Sequence, residues 1–203
     1  MNDESLNKQI TVVILAGGRG RRMHRQDKGL VVLDKRPLVE HVLAGIGPQN
    51  QNILINANQH LAEYRQYGYP VISDDMADFQ GPLAGVATAM AQVDTPYILT
   101  LPCDAPFVAH NYQQKMWSAL KSQQTDLAVA FDGKRLQPVH ALLPVHLHAE
   151  LVRFLAGNTR RVDAWYSQYA MGLVDFSQQV RMFCNLNTPE ELQAYSIEKK
   201  KIV

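Results

Sequence analysis

The segment Ile10–Ala16, ITVVILA, is an unbroken run of apolar and mostly β-branched residues. A strand with one face in water alternates apolar and polar residues, so this run predicts a central strand that is covered on both faces. Helical and strand-like runs then alternate. The helical runs are PLVEHVLAGIG, HLAEYRQYG and GPLAGVATAMAQV, and the strand-like runs are NILINA, YPVIS and PYILTLPCD. The alternation predicts an α/β fold, a doubly wound, mostly parallel central sheet with helices on both faces, of the Rossmann-like kind.

The order of elements becomes less regular after residue 111. We expect four helices there: YQQKMWSALKSQ, Val145 to Leu155, Arg160 to Tyr169, and a final TPEELQAYS helix. Two strand-like runs, DLAVAFD and PVHALLP, lie between the first and second of these helices. The length of 203 residues predicts one domain over residues 10–195, with halves at about 10–110 and 111–195. Residues 1–9 and 196–203 are expected to be flexible ends. His140, within a strand, is interpreted as structural.

Charge and cysteine content exclude several classes of protein. The net charge is +1, so no overall positive field is present to hold a nucleic acid or an anionic membrane. The N-terminus is polar and acidic, unlike a signal peptide, and the apolar runs are shorter than the roughly 20 residues that span a bilayer. Cys103 and Cys184 form no metal-binding or disulfide pattern. We expect a cytoplasmic protein with free thiols and with neither nucleic-acid nor membrane partners.

The loop after the first strand, LAGGRGRRMHRQDKGL, combines glycines with many basic residues. They are Gly17, Gly18, Gly20 and Gly29, with Arg19, Arg21, Arg22, Arg25 and Lys28. Glycines allow main-chain N–H groups to approach phosphate oxygens, while the cations neutralise phosphate charge. The loop matches neither a P-loop nor a GxGxxG turn. A flexible, solvated basic loop is the alternative, but its place after a buried-type strand, where α/β sheets bind ligands, favours a nucleotide phosphate site.

Two further strand ends carry aspartates. Asp104 follows the apolar run of PYILTLPCDAPF, and Asp74 follows the strand in VISDD. One carboxylate, completed by water and substrate phosphates, is a usual way to hold Mg²⁺ for nucleotidyl transfer, which makes Asp104 the candidate metal ligand. The alternative for Asp104 is a helix N-cap. For Asp74, a structural role in a turn and a role in binding a ligand are equally favoured.

These residues, read together, match a family. LAGG followed by Arg-Met and Asp-Lys resembles the LAGG-type nucleotidyltransferases, and among them the molybdenum cofactor guanylyltransferases. The resemblance continues in order through LINANQH, ISDD, DFQGPLAG, LPCDAPF, GNTRRVDAWY and NLNTPEEL. It implies transfer of GMP from GTP to the terminal phosphate of molybdenum-molybdopterin, with release of pyrophosphate and a requirement for Mg²⁺. It also implies transient contacts with other molybdenum-cofactor proteins.

The resemblance assigns roles residue by residue. The implied GTP contacts are Leu15, Ala16, Gly17, Lys28, Asn56, Asp74 and Asp104, and Asp104 is also the implied Mg²⁺ ligand. The implied molybdopterin contacts are Arg161, Asn185 and Asn187. The N-terminal half would thus bind GTP and the C-terminal half the pterin. His24-Arg25 departs from the family, which usually has glycine after Arg-Met.

The chemistry of such a transfer needs positioning and charge neutralisation more than proton transfer. A phosphate monoester is already ionised near neutral pH, so attack on the α-phosphorus needs no general base. Lys28 and Arg22 are the expected catalytic cations, with Asp104 holding Mg²⁺. Two alternatives stay open: a sugar-phosphate or other small-phosphate nucleotidyltransferase of the same fold, and a GTP-binding protein without turnover. RRVDAWY and NLNTPEEL favour the molybdopterin enzyme over the first, and Asp104 disfavours the second.

Overall fold

The computed structural model describes residues 3–17, 27–48, 50–74, 81–157, 159–186 and 191. Its strands are β1 (Ile10–Leu15), β2 (Val32–Leu33), β3 (Arg36–Pro37), β4 (Ile53–Asn56), β5 (Val71–Ile72), β6 (Tyr97–Pro102), β7 (Leu127–Phe131), β8 (Leu136–Pro144) and β9 (Met171–Asp175). Its α-helices are α1 (Asp3–Asn7), α2 (Leu38–Ile46), α3 (Leu61–Arg65), α4 (Pro82–Gln92), α5 (Tyr112–Gln123), α6 (His148–Leu155) and α7 (Val162–Tyr166). Short 3₁₀ helices cover Lys28–Leu30, Val145–Leu147 and Ser177–Phe183.

Seven of these strands form one sheet in the order β5-β4-β1-β6-β8-β7-β9. The pairs β5–β4, β4–β1, β1–β6 and β7–β9 are parallel, and β8 runs antiparallel to both β6 and β7. The predicted α/β fold with a mostly parallel sheet is therefore confirmed. Strands β2 and β3 form a separate antiparallel pair.

The register of the parallel strands aligns their carboxyl ends. Leu15, the last residue of β1, pairs with Asn56 on one side and with Pro102 on the other. Asn56 in turn pairs with Ile72, the last residue of β5. Four strands therefore end in one row, and the residues that follow them emerge at the same edge of the sheet.

Helices cover both faces of the sheet, as the apolar run in β1 predicts. Val12 packs on one face with residues of α2 and α5, and Val13 packs on the other with residues of α4, α6 and α7. Both valines are almost fully buried. Adjacent residues of a strand point to opposite faces, so a strand buried on both faces needs apolar residues at every position.

Three details differ from the sequence predictions. Residues 1–9 were expected to be flexible, but Asp3–Asn7 form α1 and Leu6 is buried in the core beside the sheet. The Asn52 side-chain amide also donates to the Asn7 carbonyl, so an apolar contact and a hydrogen bond both hold this helix. The helix predicted over Arg160–Tyr169 spans only Val162–Tyr166, and β9 follows it as an unpredicted edge strand. Residues 196–203 lie outside the described residues, as does the TPEELQAYS helix apart from Glu191.

Within the described ranges, no helix is long and apolar enough to cross a lipid bilayer. Cys103 and Cys184 are free thiols, as expected. Burial raises the pKa of the Cys103 thiol, which leaves Cys103 as a small, unreactive packing residue beneath the sheet edge.

His140 lies in the core on β8, edge-on to the rings of Tyr112 and Phe183. It is 2% exposed, and its Nε2 atom has no hydrogen-bond partner among the described residues. Burial lowers the pKa of His140 to about 3, because the charged imidazolium loses its hydration there. The ring therefore stays neutral and packs as an aromatic group, in agreement with the structural interpretation.

Replacing His140 should weaken the loss of stability at acidic pH. A histidine in the unfolded chain takes up a proton near pH 6.5, whereas His140 in the folded chain stays neutral down to about pH 3. Protonation therefore favours the unfolded chain, and the unfolding free energy decreases as the pH falls below 6.5. Between pH 7 and pH 5, the unfolding free energy of the wild-type chain should fall by about 2 kcal/mol more than that of His140→Phe. Urea titrations at both pH values measure this difference. His146→Gln, at an exposed histidine, is the control, and equal pH slopes for His140→Phe and wild type would contradict the expectation.

Candidate nucleotide-binding site

Asp104 and Lys28 form an ion pair at the aligned strand ends. Asp104 lies two residues beyond β6, and its side chain is only 8% exposed. The Nζ atom of Lys28, the first residue of the Lys28–Leu30 turn, donates to Oδ2 of Asp104 at 2.8 Å. The helix N-cap alternative for Asp104 is wrong, because the next helix begins at Tyr112. The main-chain N–H of Leu186 donates to the Asp104 carbonyl at 2.9 Å, which joins the C-terminal half to this edge.

A second group of polar side chains connects the ends of β4 and β5. The Asn56 amide donates to Oδ1 of Asp74 at 2.8 Å, and the Asn58 amide donates to Oδ2 at 2.7 Å. The main-chain N–H of Asp74 donates back to Oδ1 of Asn58 at 2.8 Å. Both carboxylate oxygens of Asp74 are thus held by amides, so the side chain has one fixed orientation.

Two glycines make room for this group. A Cβ atom at Gly85, in the first turns of α4, would lie closer than 3.0 Å to the side-chain oxygen of Asn56. A Cβ atom at Gly17 would lie 2.8 Å from the amide nitrogen of Asn58 and 3.4 Å from Oδ1 of Asn56. The two asparagines therefore fit between β1 and α4 only because both positions lack a side chain.

The main chain of Leu15 and Ala16 is partly engaged by the sheet. The Ala16 N–H donates to the Asn56 carbonyl at 2.7 Å, and the Leu15 carbonyl accepts from the Cys103 N–H at 3.1 Å. The Gly17 carbonyl accepts from the Asn58 amide at 3.4 Å. These bonds fix the path of the chain at the point where the glycine- and arginine-rich loop leaves the sheet.

Two of the three residues implied for molybdopterin, Arg161 and Asn185, lie within the described residues. Asn185 is exposed and adjoins Leu186, which bonds to Asp104. Arg161 is exposed, precedes α7 and forms an ion pair with Asp163, two residues further along. Leu186, the neighbour of Asn185 in the chain, therefore joins this part of the C-terminal half to the row of strand ends. Arg22, Asn187 and the departure at His24-Arg25 lie outside the described residues.

Asp104 fits the requirements of a Mg²⁺ ligand. Mg²⁺ is often held by one or two carboxylates, with substrate phosphates and water completing its six ligands. No cluster of three or more His, Cys, Asp or Glu residues occurs among the described residues, so a cage made only of protein ligands is not formed by them. A carboxylate has two oxygens, which allows Asp104 to contact both a cation and the Lys28 ammonium.

Sequence reasoning missed four residues that shape this site: Asp27, Asn58, Tyr64 and Gly85. Asn58 could have been found, because it stands in the LINANQH motif two residues after the end of β4. Asp27 stands inside the Asp-Lys motif. Gly85 ends the DFQGPLAG motif, but the motif does not show that Gly85 packs against Asn56. Tyr64 gave no signal, since its role depends on a contact with a residue distant in sequence.

The site and the fold together define a nucleotidyltransferase-like α/β protein, and comparison with known proteins identifies the family. Residues 12–171 match the family model of the MobA-like NTP transferase domain. The chain belongs to this family. It is 45% identical, over 191 residues, to the molybdenum cofactor guanylyltransferase of Shewanella sediminis (strain HAW-EB3), an alignment that covers 94% of this chain and 97% of that protein. The resemblance indicated by the sequence motifs is thus confirmed.

Solved structures share the fold. The molybdopterin-guanine dinucleotide biosynthesis protein A of Archaeoglobus fulgidus superposes with a TM-score of 0.76 at 20% identity, covering 94% of this chain and 99% of that one. A Mycobacterium tuberculosis H37Rv protein in complex with manganese superposes with a TM-score of 0.66 at 19% identity, covering 92% and 97% of the two chains. At sequence identities of 19–20%, these similarities show a shared fold alone.

Gly85→Ala should disturb the site without unfolding the protein. The new methyl group displaces the Asn56 side chain from Asp74, while alanine favours the helix by up to about 1 kcal/mol over glycine. We expect the affinity for GTP, the nucleotide that the family resemblance implies, to fall at least about tenfold, which corresponds to the loss of one hydrogen bond to a charged group. Isothermal titration calorimetry measures the affinity.

Gly172→Ala provides the matched control. A Cβ atom at Gly172, on the edge strand β9, would lie 2.6 Å from the Thr125 hydroxyl oxygen, so this variant introduces a comparable clash away from the strand ends. It should lower stability and leave the GTP affinity unchanged. Equal affinities in the two variants would contradict the role given to Gly85.

Proposed function

We propose that this protein transfers GMP from GTP to the terminal phosphate of molybdenum-molybdopterin, which forms molybdopterin guanine dinucleotide and releases pyrophosphate. The observation that carries the proposal is the Lys28–Asp104 ion pair at the edge where the glycine- and arginine-rich loop begins. A cation and a buried carboxylate at this edge suit a metal-bound triphosphate. The 45% identity to a molybdenum cofactor guanylyltransferase supports the choice of nucleotide and acceptor.

Catalysis in this proposal rests on positioning and on charge. The attacking phosphate is already anionic, so the obstacle is the approach of two negative groups. Lys28 orients the triphosphate and, with Arg22, stabilises the departing pyrophosphate. Asp104 would hold Mg²⁺, which supplies positive charge to the phosphate oxygens when it is bound.

The remaining residues divide between the two substrates. Asn56 and Asp74 contact the GTP nucleoside, and the main chain of Leu15–Gly17 also contacts GTP. The hydrogen bond between Asn56 and Asp74 supports a preformed site. Arg161, Asn185 and Asn187 contact the pterin. The proposed single domain, residues 10–195, thus has a GTP half at about 10–110 and a pterin half at about 111–195. The free thiols agree with a cytoplasmic location, where other molybdenum-cofactor proteins would deliver the pterin and receive the product.

Pyrophosphate release distinguishes this function from its alternatives. GTP, CTP, UTP and ATP are each incubated with the protein and Mg²⁺, with and without molybdopterin loaded with molybdenum. Release that requires both GTP and the pterin is the expected result. Release with CTP or UTP and a sugar phosphate would transfer the assignment to a small-phosphate nucleotidyltransferase, and GTP binding without release would make the protein a non-catalytic binder.

Asp104→Asn should reduce turnover strongly while the protein stays folded. The amide keeps the shape of the side chain and an oxygen that can accept from Lys28, but it removes the negative charge that a metal ion requires. We expect kcat to fall roughly 100-fold or more, as when an electrostatic stabiliser of a transition state is removed. Turnover assays over a range of Mg²⁺ and Mn²⁺ concentrations measure the change.

Asp132→Asn is the matched control for this variant. The Asp132 side chain is 15% exposed and accepts hydrogen bonds from main-chain N–H groups in the turn between β7 and β8. In the sheet, β8 lies between β7 and β6, the strand that Asp104 follows. Asp132→Asn should retain wild-type turnover. Full turnover of Asp104→Asn at saturating metal would rule out Asp104 as the metal ligand.

A further inference from the structure

A buried tyrosine bonds directly to the turn that carries Lys28. The Tyr64 hydroxyl, from α3, donates to Oδ1 of Asp27 at 2.5 Å. The same oxygen accepts the main-chain N–H of Gly29 at 3.0 Å, so Asp27 caps the Lys28–Leu30 turn. Tyr64 is fully buried and Asp27 is 9% exposed. The two residues of the turn that take part in these bonds, Asp27 and Gly29, flank Lys28 in the chain.

The turn also lies unusually close to the phenol. A Cβ atom at Gly29 would lie closer than 3.0 Å to the Tyr64 hydroxyl oxygen and 3.2 Å from the Cβ atom of Cys103. Cys103 immediately precedes Asp104. The backbone of the turn is therefore enclosed between the Tyr64 hydroxyl on α3 and Cys103 after β6, with no room for a side chain at Gly29.

Burial makes this contact sensitive to the loss of one donor. Desolvation raises the pKa of the Asp27 carboxyl, and the hydrogen bonds from Tyr64 and Gly29 oppose that rise. Burial also raises the pKa of Tyr64, so its hydroxyl keeps the proton that it donates. A carboxylate that loses a donor in such surroundings reorients or admits water, and either change moves the turn.

We propose that Tyr64 is a positioning residue, which acts through Asp27 and Gly29 to hold the Lys28 ammonium beside Asp104 and thus at the triphosphate. The inference rests on the proposed phosphate-binding role of Lys28. The Lys28 side chain is long and partly exposed, at 27%, so the position of its ammonium depends on the backbone from which it extends. Tyr64 itself does not touch the ion pair.

Tyr64→Phe removes the hydroxyl and keeps the ring. We expect kcat/KM for GTP to fall roughly tenfold or more, which is typical when a residue that orients a primary ligand is replaced. Tyr112→Phe is the matched control, because Tyr112 is equally buried and its hydroxyl donates to the Thr100 carbonyl at 3.2 Å. The two variants should lose similar stability in thermal melts, and only Tyr64→Phe should change the GTP kinetics.

A double-mutant cycle separates positioning from a general loss of stability. If Tyr64 acts through Lys28, then Lys28→Met combined with Tyr64→Phe is no slower than Lys28→Met alone. Two results would overturn the positioning role and leave the proposed function intact. One is a double variant whose loss of kcat/KM is the product of the two single losses. The other is unchanged GTP kinetics of Tyr64→Phe when Lys28→Met is impaired. If Lys28→Met itself keeps wild-type kcat/KM for GTP, the phosphate role of Lys28 fails, and the role of Tyr64 fails with it.

Discussion

The parallel pairing of β1 with β4 on one side and β6 on the other is the constraint on which the rest of this structure depends. Parallel strands in register end at the same edge, and here Leu15 lies level with both Asn56 and Pro102. The polar residues that follow these strands are consequently brought together, although they are far apart in the chain. A slip of one residue would shift one strand end by about 3.3 Å and misalign the polar residues that follow it.

The arrangement at this edge keeps charged groups at fixed positions by giving each a partner. Removing a carboxylate from water is costly unless it is paired, and Lys28 offsets that cost for Asp104. Two asparagine amides do the same for Asp74, and a phenol and a main-chain N–H do it for Asp27. Partners that hold a side chain in place before a ligand arrives reduce the entropy lost on binding.

Glycines determine how closely these parts approach one another. Gly29 brings the Lys28 turn against Tyr64 and Cys103, and Gly85 brings α4 against Asn56. In both places a single methyl group would clash with a polar side-chain atom. The glycines that line this site therefore serve close packing of backbone against side chains, apart from the phosphate contacts expected of the basic loop.

The sequence alone determined the central sheet, because a strand buried on both faces, such as β1, needs apolar residues at every position. It also indicated four site residues through their places at or after the ends of strands: Lys28, Asn56, Asp74 and Asp104. It did not predict α1 or β9. Helix α1 is held by the burial of Leu6 and by a hydrogen bond from the distant Asn52, and β9 is a short, half-exposed edge strand. Only the tertiary structure decided that Lys28 pairs with Asp104, that Asn58 holds Asp74, and that Tyr64 bonds to Asp27. The physical reason is that a strand is recognised from local periodicity, whereas these contacts join segments 16 to 76 residues apart, and their partners are set by the register of the sheet.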